Sequence, residues 1–187
     1  MTKICVFCSA SENLHQEYIE TAKQTGKLIG QRGHHLIYGG SHKGLMGETS
    51  KEAAKHTNQI TEIIPKMFEH IAVKKHNFII TEDFGERLKK FQEHSDAFMV
   101  LPGGFGSIQE IMDVLVAKQL KKHNKPLVIV NTKELYSPII EQIRKSIEEG
   151  LAPEDNHSLI HVVKTPEEAL DYIENYIPIE IKDKHGA

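Results

Sequence analysis

Cysteine is nearly absent from this 187-residue chain, which holds only Cys5 and Cys8. Two cysteines cannot make a Cys-only zinc site. Their C-x-x-C spacing lies within an apolar run, residues 4–8, and not at the helix start that a thioredoxin-type pair needs. Residues three apart on a strand point to opposite faces, so both read as core. Strong charge of one sign is also missing. The net charge is −3 with His neutral, which gives no field suited to nucleic acid or an anionic membrane. No apolar run is long enough to span a bilayer. The residues after Met1-Thr2-Lys3 read directly as a strand, without a signal peptide's apolar region and cleavage site, so a cytoplasmic protein is expected. The twelve histidines show no ligand spacing on a convincing helix, so no metal is expected. Repeats, low-complexity segments and interdomain linkers are lacking too. The expectation is one domain over residues 1–177, with a flexible tail at 178–187.

Glycine, by contrast, is concentrated in two turns. In Leu101-Pro-Gly-Gly-Phe-Gly-Ser-Ile-Gln-Glu110 an apolar strand, residues 97–101, breaks at Pro102 and enters a helical pattern at Ser107. Glycines at a strand-to-helix turn allow close approach of a ligand. The helix start that follows offers free N–H groups and partial positive charge, a seat for phosphate. Glu110 stands one turn further on. The spacing Ser107-x-x-Glu110 is equally that of a capping box, which would make Glu110 structural. The second turn is Gly39-Gly-Ser-His-Lys-Gly-Leu-Met-Gly47. It is neither a Walker A loop nor G-x-G-x-x-G, which disfavours NTP hydrolysis and dinucleotide redox chemistry. Tight helix-to-sheet packing would explain the same glycines.

Strands are expected near residues 4–8, 35–38, 59–64 (stopped by Pro65), 77–80, 97–101, 126–130 and 159–163. Helices are expected near 14–31, 47–56, 82–94, from Ser107, from a Ser137-Pro138 cap, and from a Thr165–Glu168 capping box to about 176. Phe84, Leu88 and Phe91 define the expected buried face of the third helix. Arg87 would then lie at its edge, with little weight in folding. Alternating strands and helices, with Val- and Ile-rich strands, give a single doubly wound Rossmann-like α/β domain with a mainly parallel sheet. Ligands of such sheets bind beyond the carboxyl ends of the strands, which gathers Ser9, residues 39–47 and residues 103–110 around one crevice.

Taken together, these residues resemble the LONELY GUY-type cytokinin riboside 5′-monophosphate phosphoribohydrolases, a family often mislabelled as lysine decarboxylases. The resemblance runs from about Ile4 to Ile173. The family's P-G-G-x-G-T-x-x-E is similar to Pro102–Glu110, its Y-G-G-G-x-x-G-L-M-G to Tyr38–Gly47, and its C-G-S-S to Cys8-Ser-Ala-Ser11. The family's arginine before S-D-A-F falls on Arg87, ahead of Ser95-Asp-Ala-Phe98. Ser107 replaces the family threonine, Ser41 the third glycine, Leu88 a lysine and Ala117 a common tryptophan. The resemblance implies hydrolysis of the N-glycosidic bond of an adenosine-type nucleoside 5′-monophosphate to free base and ribose 5-phosphate. It implies Glu110 and Arg87 as catalytic residues, with Arg87 pairing with the phosphate or holding the carboxylate. Gly103, Gly104, Gly106, Ser107, Ser9, Gly39 and Gly40 would form the nucleotide seat. No cofactor is required, and a homodimer is implied. The helix after Ser107, apolar nearly all round, also calls for cover on more than one side. A nucleotide-binding carrier or sensor on the same fold is the alternative. A decarboxylase is more remote, because no lysine has a convincing pyridoxal-phosphate setting.

Overall fold

The computed structural model describes residues 1–73 and 75–180. Among these, seven strands form one sheet: β1 (Lys3–Phe7), β2 (His35–Tyr38), β3 (Ile60–Pro65), β4 (Asn77–Thr81), β5 (Ala97–Val100), β6 (Leu127–Val130) and β7 (His161–Val163). Their order is β4-β3-β2-β1-β5-β6-β7 and every pairing is parallel. The connecting helices are α1 (Gln16–Gln31), α2 (Gly44–Ala53), α3 (Phe84–His94), α4 (Phe105–Gln119), α5 (Ser137–Glu148) and α6 (Pro166–Glu174). The Rossmann-like α/β expectation therefore holds, and the sheet is wholly parallel.

The central strands lack polar alternation because both of their faces are covered. Ile4 and Val6 pack with Ala22 and Ile29 of α1, Leu45 of α2 and Leu170 of α6. Cys5 and Phe7 point the other way, toward Phe91 of α3, Ile111 and Val114 of α4, and Ile140 of α5. Cys8 belongs to the first cluster and Cys5 to the second, and both thiols are free and buried. Phe7 meets Phe91 edge-on at 5.4 Å and stacks near Phe98 at 5.9 Å. Strand order reverses between β1 and β5, so their following loops part and leave a crevice. The Ser9 N–H donates to the Pro102 carbonyl at 3.0 Å and ties the two loops together.

Several local expectations are corrected. Pro65 belongs to β3, opposite Thr81 on β4; pairing with β2 stops at Glu62, so no ladder donor is missed. Residues 66–71 form a 3₁₀ turn. α2 spans Gly44–Ala53, earlier than the pattern suggested. Ser137 does not cap α5: Tyr136 holds that position, while the Ser137 hydroxyl accepts from Asn131 Nδ2 at 3.0 Å. The Thr165–Glu168 capping box is formed as expected. On α3 the apolar stripe was misjudged. Phe84 is 42% exposed, whereas the buried residues are Arg87 and Phe91. The helix turns its arginine inward because a carboxylate and a carbonyl wait there. Of the expected tail, residues 181–187 lie outside the described residues, and the Ile179 carbonyl accepts from Asn124 Nδ2 at 2.6 Å. No helix among the described residues is long and apolar enough to cross a membrane.

Candidate active site

A cleft of about 440 Å³ opens at the carboxyl edge of β1, β2, β3 and β5, within the size range of small-ligand sites. Ser9, Gly39, Arg87, Gly104, Gly106, Ser107 and Glu110 all line it. Gly103 lines an adjoining cleft that shares Ser9 and Gly104. Gly40 stands behind the wall; it is buried at φ +80° with its carbonyl accepting from the Val73 N–H. The crevice thus brings together Gly39, Ser41 and Met46 of one glycine turn and Gly104–Ser107 with Glu110 of the other, while Gly40 and Gly103 lie outside its lining.

Glu110 and Arg87 form its floor. Each is nearly buried, at 4% and 8% exposure. Arg87 Nη1 donates to Glu110 Oε1 at 3.0 Å, and Arg87 Nε donates to the Ile63 carbonyl at 3.0 Å. The guanidinium carbon lies 4.6 Å from the centre of the Phe91 ring, a cation–π contact. The second face of the fork rests on Gly39, where a Cβ would stand 2.3 Å from Nη2. A side chain at position 39 would have to displace the guanidinium from its place between Glu110 and Ile63. Burial pushes the Glu110 carboxyl up to about 7; the Arg87 charge and hydrogen bond oppose the shift without cancelling it. Arg87 is thus a holder of the carboxylate, one of the two roles open from sequence, and it is part of the buried structure rather than an edge residue.

The capping-box reading of Glu110 is overturned. α4 begins at Phe105, two residues before Ser107, with Gly104 at its N-cap and no side-chain cap. Ser107 and Glu110 are both inside the helix, so Glu110 is free to point at Arg87. The first bond of α4 runs from the Ile108 N–H to the Gly104 carbonyl. The N–H groups of Phe105, Gly106 and Ser107 precede it and have no partner within the helix. They form an uncapped, partly positive end at the cleft. A Cβ at Gly103 would stand 2.1 Å from the Ser107 hydroxyl, so packing explains that glycine. At Gly104 and Gly106 a Cβ would meet no protein atom within 4 Å. Among the described residues no contact calls for glycine at these two positions, and both line the cleft.

An apolar rim completes the site, and the sequence analysis did not find it. Phe68 and Phe84 meet edge-on at 5.9 Å, and Phe105 is 93% exposed. Met46, Ile64 and Ile71 line the same cleft. Phe84 was assigned to the core because its spacing fits a buried stripe. The signal that could have redirected it is its place at the first turn of a helix that starts beside the crevice.

A protein-family model described as "Possible lysine decarboxylase" matches residues 46–173. A probable cytokinin riboside 5′-monophosphate phosphoribohydrolase of Oryza sativa subsp. japonica is 32% identical over 94% of this chain and 73% of its own length. A cytokinin riboside 5′-monophosphate phosphoribohydrolase of Arabidopsis thaliana is 31% identical over 94% of this chain and 83% of its own. The chain belongs to this family. Among solved structures, the molybdenum cofactor carrier protein of Chlamydomonas reinhardtii superposes with a TM-score of 0.71 at 22% identity, covering 92% of this chain and 95% of that one. That likeness extends to the fold alone. The family resemblance read from residues 102–110 and 38–47 is thereby upheld.

The buried carboxyl of Glu110 gives a stability prediction. In the unfolded chain it ionises near 4.5, but in the fold only near 7. Between these values the unfolded chain has released a proton that the folded chain keeps, so stability falls as pH rises from about 4.5 to 7. In Glu110→Gln this component is absent. Urea denaturation of both proteins across that range should show the gap in stability shifting toward the variant as pH rises; parallel curves would place the Glu110 carboxyl at its ordinary value.

Proposed function

We propose that this chain hydrolyses the N-glycosidic bond of adenosine-type nucleoside 5′-monophosphates, cytokinin riboside monophosphate or AMP, releasing free base and ribose 5-phosphate. The observation that carries this reading is the buried Glu110–Arg87 pair beside an uncapped helix N-terminus in one cleft. The names of the curated relatives point to the same reaction. In this reading the 5′-phosphate sits on the Phe105, Gly106 and Ser107 N–H groups, remote from the bond that breaks. Its binding places the ribose over Glu110. Cleavage of the C1′–N bond builds positive charge on the ribose ring. The ionised carboxylate stabilises that charge and orients a water, whose oxygen bonds to C1′ while its proton passes on to the departing base. Arg87 keeps the carboxylate aimed. The apolar rim of Phe68, Phe84 and Met46 receives the base. The enzyme is taken to act in the cytoplasm.

The carrier or sensor reading predicts saturable nucleotide binding with no base released. The decarboxylase reading has no lysine at the cleft among the described residues. Incubation with AMP and with N6-prenylated AMP, followed by chromatography, separates these readings. Stoichiometric free base supports hydrolysis; tight binding without base refutes it.

The reading includes a homodimer. α4 buries Ile111 and Val114 against the sheet yet leaves Val116 about half exposed, at 47%, as is Leu120 at its C-cap, at 50%. Apolar residues on the outer side of a helix call for a partner surface. Light scattering at micromolar concentration should give twice the chain mass of 21.2 kDa. A monomeric mass would remove the dimer.

A further inference from the structure

The loop that leaves β6 ends beside the glycine turn, at the same carboxyl edge of the sheet. Its Tyr136 is buried and donates its phenol hydrogen to the Leu101 carbonyl at 2.9 Å. The Gly103 backbone and the Ser107 side chain stand beside the same phenol. A Cβ at Gly103 would stand 2.5 Å from Ser107 Cβ and 3.2 Å from the Tyr136 hydroxyl, so the three residues close tightly on one another. The tyrosine is itself held in place. Its N–H donates to Asn131 Oδ1 at 2.8 Å, and Asn131 Nδ2 donates to the Ser137 hydroxyl at 3.0 Å. Between Asn131 and Tyr136 the backbone passes through two successive left-handed residues, Lys133 at φ 56° and Glu134 at φ 58°. Side chains other than glycine rarely adopt such values, and they persist where surrounding contacts impose them, often beside functional sites.

We propose that Tyr136 is a positioning residue for phosphate recognition: it fixes residues 101–104 and the Ser107 side chain so that the start of α4 receives a 5′-phosphate. The inference rests on the phosphate seat of the proposed function and deepens it. The phenol gives its hydrogen to Leu101 and packs closely against Gly103 and Ser107, so it braces Ser107 from behind. The N–H groups of Phe105, Gly106 and Ser107 then keep one arrangement facing the cleft. Tyr136 does not line that cleft, so its effect on a ligand passes through the turn. In Tyr136→Phe the ring still fills its space, but the Leu101 carbonyl loses its donor and Gly103 and Ser107 lose the hydroxyl they pack against.

Equilibrium titration calorimetry with ribose 5-phosphate and, separately, with adenine tests this without turnover. The parental protein should bind ribose 5-phosphate, and Tyr136→Phe should weaken that binding by about tenfold, the scale of one lost hydrogen bond. Adenine binding should stay at its parental value. Equal weakening of both ligands, or none of either, overturns the proposal, because a packing role does not distinguish phosphate from base. If Tyr136→Phe does not fold, Asn131→Ala decides. It keeps the phenol but frees its loop, and should weaken ribose 5-phosphate selectively; parental affinity there also overturns the proposal. Should the parental protein fail to bind ribose 5-phosphate at all, the seat and this inference fall together. Tyr136-dependent binding with no base released from AMP would uphold this inference and refute hydrolysis alone.

Discussion

Glu110→Gln should lower kcat/KM on AMP by about 10²–10⁴, the range expected when a carboxylate does acid–base or comparable electrostatic work. The substitution is close to isosteric. The side-chain oxygen of glutamine can still accept from Arg87 Nη1, so the 3.0 Å contact survives. In the proposed mechanism, what disappears is the negative charge that faces the ribose as positive charge grows on it. Because the loss falls in the transition state, kcat should drop while KM moves little. Circular dichroism should remain parental, and melting should be near parental close to pH 4.5, with the variant gaining on the parent toward pH 7 as the buried carboxyl costs the parent stability. Activity within about twofold of parental, a change too small for any direct part in chemistry, would return Glu110 to a structural role.

Arg87 should matter to both activity and folding. Its fork makes two bonds at once, to Glu110 and to the Ile63 carbonyl, while its plane covers Phe91. Lysine has one ammonium and no fork, so it cannot keep both bonds and the ring contact. Arg87→Lys should therefore lose at least about tenfold in kcat/KM, the value of a charge-assisted contact, and Arg87→Ala should lose more. The sequence reading expected folding to be indifferent to this residue, but its burial reverses that expectation. Breaking a buried pair by removing one partner costs about 3–5 kcal/mol when the other must stay charged. Glu110 can escape part of that cost by keeping its proton. The stability deficit of Arg87→Ala should thus be small below about pH 7, where both folds keep the Glu110 proton, and grow above it, as the parental carboxyl ionises beside Arg87 while the variant's, without that charge, stays protonated to higher pH. A pH-independent deficit would separate Arg87 from Glu110 energetically. Full activity in Arg87→Ala would show that the carboxylate needs no holder.

The fold was legible because parallel strands carry their own signature. Residues 127–130, Leu-Val-Ile-Val, are buried on both faces and show no polar alternation. Caps in which side chain and backbone bond reciprocally, as at Thr165 and Glu168, were legible for the same local reason. The site was legible in its chain segments, because the crevice follows from topology once the strands are ordered. What local pattern could not supply was direction. Arg87 sits one position from a plausible apolar stripe, and only the third dimension shows that α3 turns it toward Glu110 and leaves Phe84 at the cleft. Ser107-x-x-Glu110 has capping spacing, yet α4 starts two residues earlier, and that shift moves Glu110 from cap to floor. Gly39 looked like a phosphate glycine; its missing side chain makes room for the guanidinium. Tyr136 was passed over because the loop after β6 carries no glycine motif, although it reaches the same edge.

The central claim is that N-glycosidic cleavage here depends on a 5′-phosphate seated at the start of α4. The measurement that tests it most directly compares kcat/KM for adenine release from AMP and from adenosine under identical conditions. AMP should yield adenine and ribose 5-phosphate in equal amounts, with adenosine slower by at least about 10², since the phosphate supplies the binding energy that places the ribose. Equal rates on AMP and adenosine would contradict the account.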